Sequence, residues 1–280
     1  LSPRLDGRND LAKYSAGCQT VENMVIYPHG AAARRPGTTF IAEVKNSAKS
    51  TRLIPFEFST TQTYVMEFSD QIIRFYKDNG QIQSGGSPFE ISSPYLEAEL
   101  FDIKFAQSAD IMYITHPSHK TRKLSRTGHT SWSLAEVDFT NGPFLDSNIT
   151  TTTLTPSAAG TGSRTITASA VTGINGGSGF LTTDIGRQIH FNSGYGTITG
   201  RTNTTEVTVN VTTAFANANA ITNWFLGAFS DTTGHPACVT FFEQRLVFAA
   251  TLNNPQTVYL SKSGDYENMD ANIGGTVADD

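Results

Sequence analysis

Three histidines, His116, His119 and His129, fall within one short stretch, HPSHKTRKLSRTGH. Imidazole is the side chain that most often binds transition metals and moves protons near neutral pH. The spacing argues against a metal here. The H-x-x-H pair sits in a proline-containing turn, not on a helix face that would converge the rings, and no cysteine or carboxylate stands nearby to complete it. The same stretch carries Lys120, Arg122, Lys123 and Arg126, the densest basic run in the chain. Such a run suits nucleic-acid phosphate or an acidic neighbouring subunit, though it lacks the interleaved aromatics that stack on bases. A solvated hairpin is the plainer reading of the same residues, histidines included. A second basic pair, Arg34 and Arg35, lies in VIYPHGAAARRPGTTFIAEV. Guanidinium groups displayed on a loop stiffened by proline and glycine can dock a partner's carboxylates, with two solvated charges as the alternative.

Acids are the other candidates. Glu97, Glu99 and Asp102 cluster in sequence, as do Glu136 and Asp138. Glycoside hydrolysis needs a carboxyl pair about 5–10 Å apart, and nothing in the spacing separates these residues from ordinary surface acids. No G-x-S-x-G lies between a strand and a helix, and there is no P-loop or dinucleotide fingerprint. The GGSGF around Ser178 is a turn. The N-x-T triplets at Asn148, Asn203 and Asn210 are what a Thr-rich chain produces by chance. No catalytic residue, no metal ligand and no cofactor is expected.

The elements that must position these residues are strands. Charged residues make up 16% of the 280, and Gly, Thr, Ser and Phe are plentiful, which is the profile of short strands and turns. The net charge of −5 keeps the chain soluble and disfavours tight wrapping by nucleic acid. Two cysteines, Cys18 and Cys238, cannot build a disulfide framework, so the fold must stand on packing. No apolar run approaches the ~18 residues of a membrane span, and there is no basic-then-apolar leader. A chain opening on Leu1 and closing on GGTVADD is expected to be part of a longer product.

Three segments repeat one pattern: a Phe-rich strand, a tight turn, a strongly apolar strand, a second turn and a third strand ending in Gly. They start at Ile54, Ile103 and Val239. The first two begin about 49 residues apart, near the ~50 of some propeller blades. The middle strands, Tyr64 to Phe68, Ile111 to Thr115 and Leu246 to Ala250, are almost continuously apolar, which predicts burial on both faces. Trp132 to Val137 predicts a fourth, outer strand. Between the second and third repeats a Thr/Ser/Gly tract from Asp146 to Arg164 opens a separate β segment. Its strands are Thr165 to Ala170, Gln188 to Phe191, Thr197 to Thr199, Glu206 to Val211 and Ile221 to Phe225. Ahead of the repeats, Asp10 caps a short helix with an apolar stripe at Leu11, Tyr14, Cys18 and Val21.

The expected architecture is all-β: propeller-like antiparallel blades, incomplete in number, with an inserted small β-barrel or sandwich and a short N-terminal helix and arm. A plain β-sandwich is the alternative. The divisions are an arm at 1–50, blades at 51–145, the insert at 146–228 and a further blade at 229–280.

Several long stretches resemble tail tubular protein B, the nozzle family of short-tailed bacteriophages. They are LSPRLDGRNDLAKYSAGCQTVENMVIYPHGAAARRPGTTFIAEV, RLIPFEFS, FAQSADIMYITHP, RKLSRTGHTSWSL, LGAFSDTTGHP and TFFEQRLVFAATLNNPQTVYLSKSGDYENM. The resemblance implies a virion protein of the phage tail, a homo-oligomeric ring, sixfold in the family, attached to a tail adaptor ring and tail fibres. Genomic DNA would pass transiently through such a ring during ejection. In the insert, FLTTDIGRQIHF is similar to a small β domain of ubiquitin-activating enzymes, but no catalytic cysteine accompanies it and no activity carries over. The competing readings are a carbohydrate-binding or glycan-cleaving tail module, for which Tyr195, Trp224 and Phe225 are the aromatics, and a DNA-binding protein, which the net charge disfavours.

Overall fold

The computed structural model describes residues 7–15, 17–18, 20–59 and 62–270. The chain divides into two compact units, Leu1–Ile41 and Ala42–Asp280. Every strand pair among the described residues is antiparallel.

All three repeats form meander sheets. The first blade contains Arg52–Ser59, Gln62–Ser69, Ile72–Lys77 and Gly80–Gln81, with Glu90–Ser92 added beside the third strand. The second runs Lys104–Ser108, Ile111–His116, His119–Gly128 and Ser131–Glu136, in spatial order as in sequence. The third has Cys238–Phe242, Arg245–Ala249 and Val258–Leu260. Two-residue turns with both residues left-handed suit the right-handed strand twist. Asp78 and Asn79 supply one, at φ of 50° and 58°. Glu243 and Gln244 adopt the same geometry at 44° and 60°, although neither type favours it. That turn is imposed by the strands it joins.

The blades stack face to face. One core joins the first two blades through Ile54, Phe56, Phe68 and Phe75 on one side and Met112, Ile114, Leu124 and Trp132 on the other. Another joins the second blade to the third through Ile111 and Tyr113 against Leu246, Phe248 and Phe241. Successive side chains of a strand point to opposite faces. Met112 and Ile114 therefore serve one core, and Ile111 and Tyr113 the other. This position between two neighbours explains the unbroken apolar run of the second repeat. The other two middle strands depart from the expectation. Gln62–Ser69 is buried on both faces only towards its end, and in Arg245–Ala249 the fully buried side chains are Leu246 and Phe248, on one face.

The insert forms a six-stranded sheet in the order Leu154–Pro156, Gly162–Ala168, Glu206–Thr213, Gly194–Asn203, Gln188–Phe191 and Trp224–Leu226. Its core, including Ile166, Ile189, Phe191, Ile198, Val209 and Phe215, belongs to this segment alone. A single sheet can enclose its own core only by curling, and this one forms a half-barrel. At Gly196, where the register slips, a Cβ would stand 2.5 Å from the Asn210 carbonyl oxygen, so only glycine fits the bend.

His190, on Gln188–Phe191, is 8% exposed, and its ring packs against Phe144 and Phe225. Its Nδ1 has no hydrogen-bond partner, and burial holds the imidazole below its ordinary pKa. The unfolded chain therefore binds more protons in mild acid, and this residue's share of stability, complete above about pH 6.5, is lost as pH falls. His190→Phe is expected to give a shallower loss of stability in urea titrations between pH 7.5 and 5. The slope removed is at most about 1.4 kcal/mol per pH unit for the one proton concerned. A variant as pH-sensitive as the wild type would contradict this account.

The first unit departs from expectation. Its helix is four residues, Ala12–Ser15, with no buried side chain, and does not extend to Val21. The irregular stretch expected from Val25 begins instead as a hairpin of Met24–Ile26 with Ala32–Arg34. The arm ends at Ile41, short of the expected residue 50, because residues 42–50 are bonded into the first blade. There Lys45 donates its backbone N–H to Glu67, Lys49 pairs with Asp70, and the Ser50 N–H reaches Glu97.

Candidate functional site

The three histidines of the basic hairpin separate. A ten-residue strand, His119–Gly128, spans roughly 30 Å and carries His129 away from the other two. His129 Nδ1 meets the Tyr64 hydroxyl at 2.8 Å. His116 and His119 stay together as the pair that closes the turn, with ring centroids 5.0 Å apart.

A carboxylate does complete this pair, against the sequence expectation. Glu99 lies in the 3-10 turn Glu97–Glu99 that leads into the second blade, and its Oε2 stands 2.8 Å from His119 Nε2. Glu99, His116 and His119 each offer one ligand atom, all within 4.8 Å of one another. Of the three histidines only His116 is withdrawn from solvent; His119 is half-buried and His129 exposed. His116 is 3% exposed; its Nδ1 accepts the Ser118 N–H at 3.1 Å, and its Nε2 has no partner. Burial, then the neighbouring His119, hold the His116 imidazole below its ordinary pKa. Burial alone would raise the Glu99 carboxyl, but the Leu96 N–H and His119 outweigh it and leave the group below its usual range. Tyr95 lies over both rings, at 6.1 and 5.3 Å, with its hydroxyl buried and unpartnered.

The basic run is not displayed as a patch. Strand alternation sends its members to both faces, where acids and rings meet them. Lys120 and Arg122 both reach Glu136, at 3.2 and 3.0 Å. Lys123 turns to the other face and holds Glu267, which lies beyond the third blade, at 2.7 Å, where the Tyr113 hydroxyl also donates. Arg126 lies over Phe58 and Tyr64 of the first blade, at 4.2 and 5.1 Å, with Asp110 at 3.7 Å. Lys123 and Arg126 thus tie the second blade to its neighbours. Arg126 is the most covered of the four, and Lys120 stays about half exposed.

In the first unit, Arg35 bonds back to Asn23 through Nε at 2.8 Å, while Arg34 stands exposed on the hairpin's second strand. The structure therefore separates the expected guanidinium pair into one anchored and one displayed group.

The insert holds a polar centre that the sequence reading missed. Asp184 and Arg187 are 0% and 1% exposed and pair at 2.9 Å. The signal was present in TTDIGR, two opposite charges three residues apart among apolar neighbours. Beside them lies a cleft of about 460 Å³ lined by Asn148, Thr150, Asn175, Arg187, Asn253 and Asn254. Trp224 reaches the cleft but is 3% exposed, and its indole N–H donates to the Thr152 carbonyl at 3.0 Å. Phe225 packs on Phe144 and His190. Trp224 thus presents no open face to a sugar, and Phe225 is half-buried.

Among the described residues, no helix is long and apolar enough to cross a membrane. No protein-family model matches the chain, and no curated protein matches it significantly.

Proposed function

We propose that this chain is a structural subunit of the tail nozzle of a short-tailed bacteriophage, working by shape and contact and not by turnover. The observation that carries the reading is the apolar surface of the amino-terminal unit. Met24, Val25, Ile26 and Tyr27 are between 44% and 63% exposed, and Phe40 is 81% exposed. A two-stranded hairpin is marginal by itself in water, and an apolar run of this kind is stabilised when another subunit covers it. A neighbouring copy in a ring is the occupant that the phage-tail resemblance suggests, with Arg34 beside the apolar run to meet an acidic group. The blades supply a rigid body, and a net charge of −5 suits a conduit wall that DNA slips past. A homo-oligomeric ring, sixfold by resemblance, would join the adaptor ring and tail fibres in the virion.

Native mass measurement tests this directly. The full chain is expected to form rings, alone or with its adaptor. Ile26→Asp combined with Phe40→Asp is expected to give monomers with an unchanged circular dichroism spectrum and melting temperature. A wild-type chain that stays monomeric and ignores the adaptor would remove the reading.

The amide-rich cleft favours a second reading, a tail module that contacts host glycans. Incubation with bacterial surface polysaccharide tests it: saturable binding by the wild type that Asn254→Ala, in the cleft, weakens would favour this reading over the structural one.

A further inference from the structure

We infer that Glu99, His116 and His119 form a binding site for a divalent transition cation, with zinc as the ion to test. Two imidazoles and one carboxylate match the three-protein-ligand set that zinc accepts with a fourth position open. Calcium and magnesium prefer sets made wholly of oxygen. The three side chains converge from two elements, the 3-10 turn and the hairpin turn of the second blade, and their ligand atoms already lie within 4.8 Å of one another.

The independent observation is His116. Because its Nδ1 accepts the Ser118 N–H, the neutral ring carries its single proton on Nε2, buried and without an acceptor. An unsatisfied donor of this kind is costly. Moving that proton to Nδ1 gives up the 3.1 Å bond from Ser118 and turns Nε2 into a lone-pair ligand. In the neutral His119 ring the proton shared with Glu99 moves from Nε2 to Nδ1, and the cation takes its place at Nε2. No proton need leave either neutral ring.

The required movements are small. Ligands about 2.0–2.1 Å from a tetrahedral ion stand roughly 3.3 Å from one another. The 2.8 Å contact between His119 and Glu99 must open by about half an ångström, and, with all ligand atoms within 4.8 Å of one another, no gap need close by more than about 1.5 Å. The side chains of His119 and Glu99 are 23% and 22% exposed, which gives the ion a route in from solvent. The bound ion would act as a clip. The turn that carries Glu99 is already held to the first blade, where the Ser50 N–H donates to Glu97 and the Glu97 N–H to Asp70. A cation on Glu99 and the two histidines would fasten the same turn to the second blade.

The test uses the untagged full chain, stripped with chelator and titrated calorimetrically with zinc chloride, and separately with cobalt chloride followed by visible absorption. One equivalent of zinc is expected to bind at micromolar or tighter affinity, with visible d–d bands from the cobalt form and a raised melting temperature. His119→Gln and Glu99→Gln, both at partly exposed positions, are each expected to weaken zinc at least tenfold while leaving the metal-free melting temperature within a few degrees. His116→Gln should abolish binding if it folds, and the other two variants carry the test if it does not. Lack of saturable zinc binding below about 0.1 mM, or wild-type affinity in both partly exposed variants, would overturn the inference.

Discussion

Replacing Asp184 with alanine is expected to destabilise the chain by about 3–5 kcal/mol, read as a lower urea midpoint at pH 7. The carboxylate is fully buried and accepts four hydrogen bonds. These come from Arg187 Nη1 at 2.9 Å, Asn175 Nδ2 at 2.7 Å, the Leu181 N–H at 2.8 Å and the Thr232 hydroxyl at 2.8 Å. Removing it leaves the Arg187 guanidinium inside the protein without its counter-charge. Burial already pushes that group's pKa down, against the pull of Asp184. Arg187 would keep its bonds to the Gly227 carbonyl at 2.7 Å and to Asn175 Oδ1 at 2.8 Å, but neither is a charge. Breaking a buried pair on one side costs far more than replacing both partners. Asp184→Leu with Arg187→Met should therefore recover much of the loss. Thr232 lies in the segment leading into the third blade, so the single variant should also loosen the join between insert and blade. Hydrogen exchange would report faster opening at residues 175–187 and 228–235. A loss below about 1 kcal/mol would show that the pair does not hold the insert together.

Trp132→Ala should cost a similar amount, about 3–5 kcal/mol, by a different mechanism. The indole is 8% exposed and sits where the first two blades meet, stacked on Phe75 at 4.3 Å and edge-on to Phe56 and Tyr64 at 4.9 and 5.2 Å. Its N–H donates to the His129 carbonyl at 3.0 Å. Deletion opens a cavity that three aromatic neighbours on the facing blade cannot close, because their own packing holds them. The damage should be local to that junction: exchange should accelerate in Arg52–Ser59 and Ser131–Glu136 while the insert, with its separate core, stays protected. Trp132→Phe should restore a large part of the loss. Equal acceleration in the insert would mean that the two cores unfold as one.

Much of this protein was legible from strand periodicity. The three meanders, the outer strand near Trp132 and the insert strand Gln188–Phe191 all appear where local apolar pattern and turn residues place them. The four-residue helix was over-read. Among the described residues of its own unit the apolar stripe from Leu11 to Val21 has no buried core to face, and a short helix without such packing does not propagate. The partners of the basic hairpin were not legible for a related reason. Sequence lists Lys120, Arg122, Lys123 and Arg126 side by side, but a strand deals successive side chains to opposite faces, and the blades on either side supply their partners.

Composition and alternation by themselves determined that this chain is a set of antiparallel sheets without a disulfide framework, because those properties depend on residues close together in the chain. Which sheets face one another, and so which charges are neutralised and which histidine meets Glu99, was decided only by tertiary packing. Residues twenty to more than a hundred positions apart become neighbours there, as His119 does with Glu99 and Lys123 with Glu267. Local pattern carries no record of such pairings, since they follow from how twisted sheets stack once the chain has closed its long loops.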